Sequence, residues 1–184
     1  MENVQKKKKF TFTTEQIAVL GVLMGLRIAM SRLSIMIGPN NRLAFGFIIA
    51  SIIGMLFGPW VAGIAGVGTD LLTTFLFGTQ GGPFFIGFTL TAFVGGAVYG
   101  LFLHRKEIKW YHVLLAVVVN SLLTNLVMNT IWVNMLFGTP YKVLLATRIP
   151  QNLIMAPIRF IIIYLALTNK QLQEIYQRYS TANK

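Results

Sequence analysis

Hydrophobic residues along this chain fall into long runs, not into the one-sided or alternating patterns of soluble helices and strands. Short polar or glycine- and proline-rich stretches separate six such runs, at residues 16–37, 43–57, 60–77, 84–103, 112–137 and 146–168. A helix needs about 20 apolar residues to cross a hydrocarbon core, so each run spans or nearly spans it, and the second is short. The pattern predicts an all-α membrane protein with six transmembrane helices.

Composition supports a membrane protein and argues against nucleic-acid binding. Hydrophobic residues make up 55% of the 184 residues and charged residues only 11%, which is far more apolar than a soluble domain. The formal net charge of +11 comes from basic residues beside the hydrophobic runs, and no RNA-binding motif accompanies them. Cysteine is absent, so neither disulfides nor thiol chemistry are expected.

Basic residues concentrate in three places, which predicts the topology. These are Lys6–Lys9, the loop with Arg105, Lys106 and Lys109, and the C-terminal stretch with Lys170, Arg178 and Lys184. Such segments are typically cytoplasmic, and the first two share a side only if run 43–57 crosses the membrane. Residues 1–12 and about 171–184 are therefore expected to be solvated cytoplasmic tails flanking one six-helix domain, 13–170. A re-entrant 43–57 is the alternative, but it would place the basic loop outside.

The first run carries a row of small residues and two arginines. Gly21, Gly25 and Ala29 recur every four residues, which predicts a face where another helix packs closely. Arg32 lies about 20° from Gly25 around the axis and continues this face near the outer end. Arg27 lies about 160° from Gly25 and roughly 16 Å into the helix, where facing lipid would cost at least ~2.5 kcal/mol. We expect Arg27 to face the bundle interior and to meet a counter-charge or a ligand.

Polar side chains also enter the third and fifth runs. Asp70 is the one acid inside any run, and its carboxylate needs a donor, either structural or from a ligand. Asn125, Asn129 and Trp132 fall on one helical stripe with Ser121. Amides often join transmembrane helices, but amides beside an aromatic ring also suit a flat heterocycle. Trp132 is alternatively an interfacial anchor.

The sixth run opens with TRIPQNLIMAPIRF, residues 147–160. Pro150 suits the first turn of a helix, which would place free backbone donors beside Arg148, Gln151 and Asn152. This combination predicts an anion receptor, with a solvated or lipid-headgroup role for Arg148 as the alternative. Arg159 lies further into the run, and its role stays open.

Five stretches, taken in order, resemble one known family. They are LRIAMSRL after the small-residue row, NRLAFGFIIASIIGMLFGPW (41–60), VGTDLLTTFLFGTQGGPFF (67–85), GFTLTAFVGGAVYGLF (87–102) and RIPQNLIMAPI (148–158). Together they resemble the substrate-binding S components of energy-coupling factor (ECF) vitamin transporters, in particular the folate-specific members. The resemblance implies a six-helix bundle in a bacterial plasma membrane that captures a vitamin at its outer side.

The same resemblance implies partners and a ligand site. The face of Gly21, Gly25 and Ala29 would dock on a transmembrane scaffold subunit that two ATPases drive. The chain lacks a GxxxxGK[ST] loop, so we expect the partner subunits to use the ATP. No cofactor is expected in this chain. Arginines would donate hydrogen bonds to the folate carboxylates, Asp70 or the two asparagines would bind the pterin edge, and Phe84 or Trp132 would stack on the ring. The expected substrate-binding residues are Arg27, Arg42, Asp70, Phe84, Asn125, Asn129, Trp132, Arg148, Gln151 and Asn152.

Three other readings compete. An S component for thiamine, riboflavin or a queuosine-type ligand is the nearest, although the excess of inward arginine over acid favours an anion. A stand-alone secondary transporter usually shows internal repeats and ion-coupling carboxylates, which are not evident here. An intramembrane enzyme would need clustered acids for a metal or a serine near a histidine, whereas His104 and His112 lie in or beside a cytoplasmic loop. No catalytic residue is therefore expected.

Overall fold

The computed structural model describes residues 12–36, 42–78 and 84–182, and it is almost entirely helical. Its elements are α1 (Thr14–Arg32), β1 (Ser34–Met36), β2 (Arg42–Ala44), α2 (Gly46–Phe77), α3 (Ile86–Leu103), α4 (Trp110–Asn120), a π-helical segment (Ser121–Met128), α5 (Asn129–Phe137), α6 (Tyr141–Leu167) and α7 (Lys170–Ala182). The described residues contain five helices long and apolar enough to cross a membrane: α1, α2, α3, the continuous helix Trp110–Phe137, and α6. The all-α membrane class predicted from the sequence is confirmed.

The second of these helices is two arms joined at Gly58. This residue has φ 83° and ψ 179°, inside an element that is otherwise helical over 46–57 and 59–77. Positive φ favours glycine because a Cβ would be strained there, and Pro59 follows at the first position of the second arm. The predicted runs 43–57 and 60–77 therefore correspond to separate arms.

Contacts with α3 show that the chain reverses at Gly58. Along the first arm, Gly54 lies against Gly100 and Gly58 lies against His104, so this arm runs parallel to α3. Along the second arm the order reverses, with the contacts Pro59–Gly100, Ala62–Gly96 and Gly66–Ala92. The glycines let the backbones approach closely, as small residues do in membrane bundles. The number of membrane crossings and the cytoplasmic side of the termini stay predictions.

The Gly58 turn, the start of α1 and the loop between α3 and α4 lie at one end of the bundle. The ring of Phe12, just before α1, is 6.4 Å from the ring of Phe57. Tyr176 of α7 is also at this end: burial raises the pKa of its hydroxyl, against the effect of hydrogen bonds with the backbone of Arg105 and Lys106. These segments adjoin the basic residues that the sequence predicts on one side of the membrane, and Lys6–Lys9 themselves lie outside the described residues.

The C-terminal stretch differs from the prediction of a solvated tail over 171–184. Residues Lys170–Ala182 form helix α7, and Leu172 and Tyr176 pack against the buried core. The core itself lies around the first arm of α2, where Ile53 and Met55 are fully buried, and it continues into α3, α4 and α6. This end of the bundle is therefore closed by apolar packing.

The two short strands lie at the opposite end. β1 and β2 form an antiparallel hairpin in which Met36 pairs with Arg42. Gly46, which starts the first arm of α2, lies beside Ser31 in the last turns of α1. Residues Arg42–Ala44 belong to the hairpin, so the first arm of α2 begins only at Gly46. This arm is therefore shorter than a full membrane span, in agreement with the short second hydrophobic run.

Candidate ligand-binding chamber

Three adjoining cavities form a chamber inside the bundle. The α5 cavity has a volume of about 550 Å³ and lies between α1, the second arm of α2, α3 and α5. The central cavity of about 340 Å³ shares Arg27, Asp70 and Phe88 with it. The α6 cavity of about 380 Å³ shares Asn125 and Asn129 with the central cavity. These volumes fall in the range of small-molecule sites.

Arg27 and Asp70 both line the α5 and central cavities, but they do not form a salt bridge with each other. The Arg27 guanidinium points inward, with Nη1 3.5 Å from the position that a Cβ on Gly66 would take. That nitrogen is buried and has no hydrogen-bond partner. Asp70 Oδ2 accepts a hydrogen bond of 2.8 Å from Thr89 Oγ1, and no salt bridge joins it to Arg27 in the described part of the chain. The arrangement leaves a cationic donor and an anionic acceptor open to one ligand.

Phenylalanines line the α5 cavity. Phe84 and Phe85 lie just before α3, Phe88 lies in its first turn, and Phe137 ends α5. The rings of Phe85 and Phe88 meet edge to face at 6.1 Å, so part of this wall is held by aromatic packing. Flat, apolar faces next to Asp70 are suited to a flat heterocycle.

Trp132 was predicted in the ligand site, but its indole does not line the three cavities. It donates a hydrogen bond of 3.0 Å from Nε1 to Thr91 Oγ1 and packs against the Phe85 ring at 5.6 Å. The π-helical segment explains the shift, because its i→i+5 bonding turns the following residues away from the stripe of a regular α-helix. Trp132 supports the aromatic wall from behind.

The π-helical segment is tied to α6 by an arginine. Arg148 Nη1 donates to the backbone oxygen of Asn125 at 3.0 Å and to Thr130 Oγ1 at 3.3 Å. Asn125 and Asn129 both face the chamber, and the Asn129 Oδ1 atom is buried without a hydrogen-bond partner. The amides predicted from the sequence are therefore placed at the junction of the central and α6 cavities.

The predicted anion receptor at a helix N-terminus is wrong in its geometry. Helix α6 begins at Tyr141, after Pro140, so Arg148 and Pro150 lie in its third turn, away from its free backbone donors. Gln151 and Asn152 still line the α6 cavity with Arg148. What remains is a set of polar side chains along one face of a helix.

Arg159 joins this set, although the sequence left it without a role. It lines the α6 cavity, its Nε is buried without a hydrogen-bond partner, and its guanidinium carbon lies 5.8 Å from the centre of the Phe47 ring. The sequence signal was the same as for Arg27, a charge within an apolar run. Arg42 lies in β2, and its side chain is outside the described residues.

Other lining residues were missed by the sequence reasoning. Thr73 is one helical turn after Asp70, so it shares its face, but a lone threonine in a membrane helix carries no specific signal. The sequence does not distinguish the lining phenylalanines from the many others in the chain. The missed lining residues include Thr69, Thr73, Phe85, Phe88, Tyr99, Asn120, Thr124 and Phe137.

The small-residue row of α1 faces away from the chamber. Gly21, Gly25 and Ala29 are exposed, and no atom lies within 4 Å of the position that a Cβ on either glycine would take. Arg32 does not continue this open face, because its guanidinium lies 4.2 Å from the centre of the Phe77 ring on α2. The row is available to a partner outside the described chain.

Comparisons with known proteins agree with these features. The family model "ECF transporter, substrate-specific component" matches residues 15–167. The folate transporter FolT of Clostridium novyi (strain NT) is 41% identical over 165 residues, which cover 90% of this chain and 95% of that protein. FolT of Leuconostoc mesenteroides subsp. mesenteroides is 33% identical over 180 residues, covering 92% and 94%.

A solved structure is similar along nearly its whole length. A crystal structure of FolT bound with folic acid matches with a TM-score of 0.76 and 34% identity, covering 86% of this chain and 96% of the other. The predicted class, a multi-pass transport protein of the plasma membrane and not an enzyme, is confirmed. The chain belongs to the substrate-specific components of the ECF transporters.

Proposed function

We propose that this chain binds folate, or a reduced folate, in the chamber and delivers it inward as the substrate-binding subunit of an ECF importer. The observation that carries the proposal is that the chamber wall contains both an unpartnered Arg27 nitrogen and the Asp70 carboxylate, in a chain 41% identical to a folate transporter. Folate combines a flat ring that has donors and acceptors on its edge with an anionic glutamate tail. The chamber offers matching groups for both parts.

The pterin ring lies in the α5 and central cavities in this proposal. Its aminopyrimidine edge presents two adjacent N–H donors, and the Asp70 carboxylate accepts from them while Thr89 holds Oδ2. Arg27 supplies the donor for the ring's carbonyl side through its unpartnered Nη1. Phe84 and Phe88 provide apolar faces for the ring.

The charge balance of the chamber favours an anionic ligand. Arg27, Arg148 and Arg159 line its cavities, whereas Asp70 is the one acid in the lining of the three. Buried guanidinium groups require a partner, and carboxylates form strong charge-assisted hydrogen bonds with them. A cation such as thiamine would leave these groups unpaired.

Transport itself is assigned to partner subunits. The exposed row of Gly21, Gly25 and Ala29 docks on a transmembrane scaffold, because small residues allow close helix approach and no described residue covers them. Two ATPases attached to the scaffold supply the energy. Docking, ATP use and lipid contact of the remaining α1 surface are parts of the same proposal.

Calorimetry with the purified chain in lipid nanodiscs tests the ligand. Folic acid is expected to bind with one site per chain, while thiamine and riboflavin leave the heat signal and the melting temperature unchanged. Thermal stabilisation by thiamine or riboflavin without any response to folates would refute the proposal. Reconstituted alone in liposomes, the chain is expected to bind folate without sustained uptake; continuing uptake without other subunits would show a stand-alone transporter.

A further inference from the structure

The end of the bundle at the Gly58 turn lies at one face of the membrane. Helix α1 begins there, α3 ends there and the helix Trp110–Phe137 begins there, and each is long and apolar enough to cross a membrane. Two tryptophans point outward at this end, since the exposed fraction is 74% for Trp60 and 59% for Trp110. Exposed tryptophans at helix ends are typical of the level where lipid headgroups meet acyl chains. The loop between α3 and α4 therefore lies at the level of the headgroups.

This loop is held in one conformation from two sides. His104 Nδ1 donates a hydrogen bond of 2.9 Å to the carbonyl of Met55 on the first arm of α2. The hydroxyl oxygen of Tyr176 on α7 accepts from the backbone N–H groups of Arg105 and Lys106. Arg105 has a φ of 56°, which is uncommon for a residue with a Cβ and which these contacts maintain. The turn thus presents two adjacent, exposed cations on a fixed backbone.

The charges of the turn are not balanced by acids. Within the described ranges, no carboxylate forms a salt bridge with Arg105 or Lys106. Glu107 is instead paired with Lys109, whose Nζ is 3.2 Å from Oε2. Lys106 Nζ lies 5.7 Å from the centre of the Phe102 ring, so its ammonium stays beside the end of α3. Both cations are available to an anion that approaches from the headgroup layer.

Helix α7 extends the same surface. It runs across this end of the bundle from the end of α6 to the α3–α4 loop, with Leu172 and Tyr176 packed on the core. Ile175, at the edge of this apolar face, is 41% exposed. Lys170 and Arg178 give the helix two cations against one acid. A helix with one apolar face and a basic polar face is typical of helices that lie in the plane of a membrane interface.

We infer that this surface binds anionic phospholipid, with Arg105 and Lys106 on the headgroup phosphate and with Trp110 and Ile175 at the acyl boundary. Guanidinium and ammonium groups form strong charge-assisted hydrogen bonds with phosphate. The sequence predicts that this end is cytoplasmic, and anionic lipids give the cytoplasmic leaflet its negative surface potential. The lipid contact fixes the depth of this end in the membrane. The inference is independent of the ligand that occupies the chamber.

Native mass spectrometry of the purified chain with added dioleoyl phosphatidylglycerol or dioleoyl phosphatidylcholine tests this inference. The wild-type chain is expected to bind the anionic lipid more tightly, and the preference should shrink as salt is raised. Arg105→Gln and Lys106→Gln should each weaken phosphatidylglycerol binding about fivefold, the usual effect of one cation near an anionic surface, and leave phosphatidylcholine binding unchanged. The matched control is Lys142→Gln, which removes one exposed cation at the start of α6, at the other end of the bundle, and should change neither affinity.

Equal wild-type affinity for the two lipids would overturn the inference, and this comparison decides even if a variant fails to fold. An equal loss in Lys142→Gln and Lys106→Gln would show a response to total charge and not to this surface. Displacement of the lipid by millimolar inorganic phosphate would point to a site for a free anion. If Arg105→Gln and Lys106→Gln keep their lipid preference but no longer co-purify with the scaffold, the surface binds a protein instead. Folic acid affinity should stay at the wild-type value in all three variants, so a failed lipid test leaves the proposed function intact.

Discussion

Replacement of Asp70 by asparagine tests the ring site directly. The amide has nearly the same shape as the carboxylate. Its oxygen can still accept the hydrogen bond from Thr89 Oγ1, which is 2.8 Å from Asp70 Oδ2 in the wild-type chain. It loses the charge and turns an NH₂ group toward the N–H donors of the proposed pterin edge. Charge-assisted hydrogen bonds contribute about 1.5–3 kcal/mol, so the Kd for folic acid is expected to rise about 10- to 150-fold.

A cycle of protein and ligand changes shows whether Asp70 touches the ring. Calorimetry is run with wild type and Asp70→Asn against folic acid and 2-desamino folic acid, which lacks one of the two edge donors. If the carboxylate and the donor are partners, the two losses are not additive, and the analogue loses little further affinity in the variant. Thr89→Val, which removes the supporting hydroxyl while keeping the carboxylate, should have a smaller effect. Additive losses, or wild-type affinity in Asp70→Asn, would refute the assignment.

Further predictions concern packing, docking and pH. Gly96→Ala places a Cβ against the carbonyl of Ala62 and is expected to lower the free energy of unfolding by about 1–3 kcal/mol, seen as a lower melting temperature. In the control Gly25→Ala the new Cβ meets no atom within 4 Å, so the melting temperature should stay unchanged. Gly25→Leu should keep folate affinity but lose co-purification with the scaffold; intact assembly would contradict docking through this face. Burial lowers the pKa of His104 from its usual 6.5, against the hydrogen bond with the carbonyl of Met55. Protonation therefore favours the unfolded chain, and the melting temperature should fall as the pH drops below about 6.5, with a flatter profile in His104→Gln.

The helices and the reversal in α2 were predictable because they depend on local signals. Apolar runs define the helices, and the Gly58–Pro59 pair combines a residue that tolerates positive φ with one that starts a helix. Helix α7 was missed because it is polar overall and gains its stability from docking Leu172 and Tyr176 on the core. The π-helical segment was missed because the arginine that bonds its backbone belongs to another helix, 23 residues further along the chain.

The sequence predicted those site residues whose position is decided by the cost of exposing a charge to lipid. Arg27 and Asp70 are too costly to face lipid, so their inward position follows from charge alone. The position of Trp132 did not follow, because a change in helical bonding upstream rotates every later residue. The start of α6 was also misjudged: Pro150 is a good first-turn residue, but Pro140 precedes a longer helix that tolerates two internal prolines.

The two walls of the chamber differ in how readily they can respond to a ligand. On one side, α2 and α3 are packed backbone to backbone through glycines, so even one added methyl group meets a carbonyl, and this wall has little room to move. On the other side, Pro150 and Pro157 each remove a backbone hydrogen bond from α6, and the neighbouring helix contains the π-helical segment. The arginine that connects this segment to α6 also lines the α6 cavity. In the proposed function, an anion bound in the α6 cavity contacts the wall with fewer regular hydrogen bonds, and the ring bound at Asp70 contacts the fixed wall.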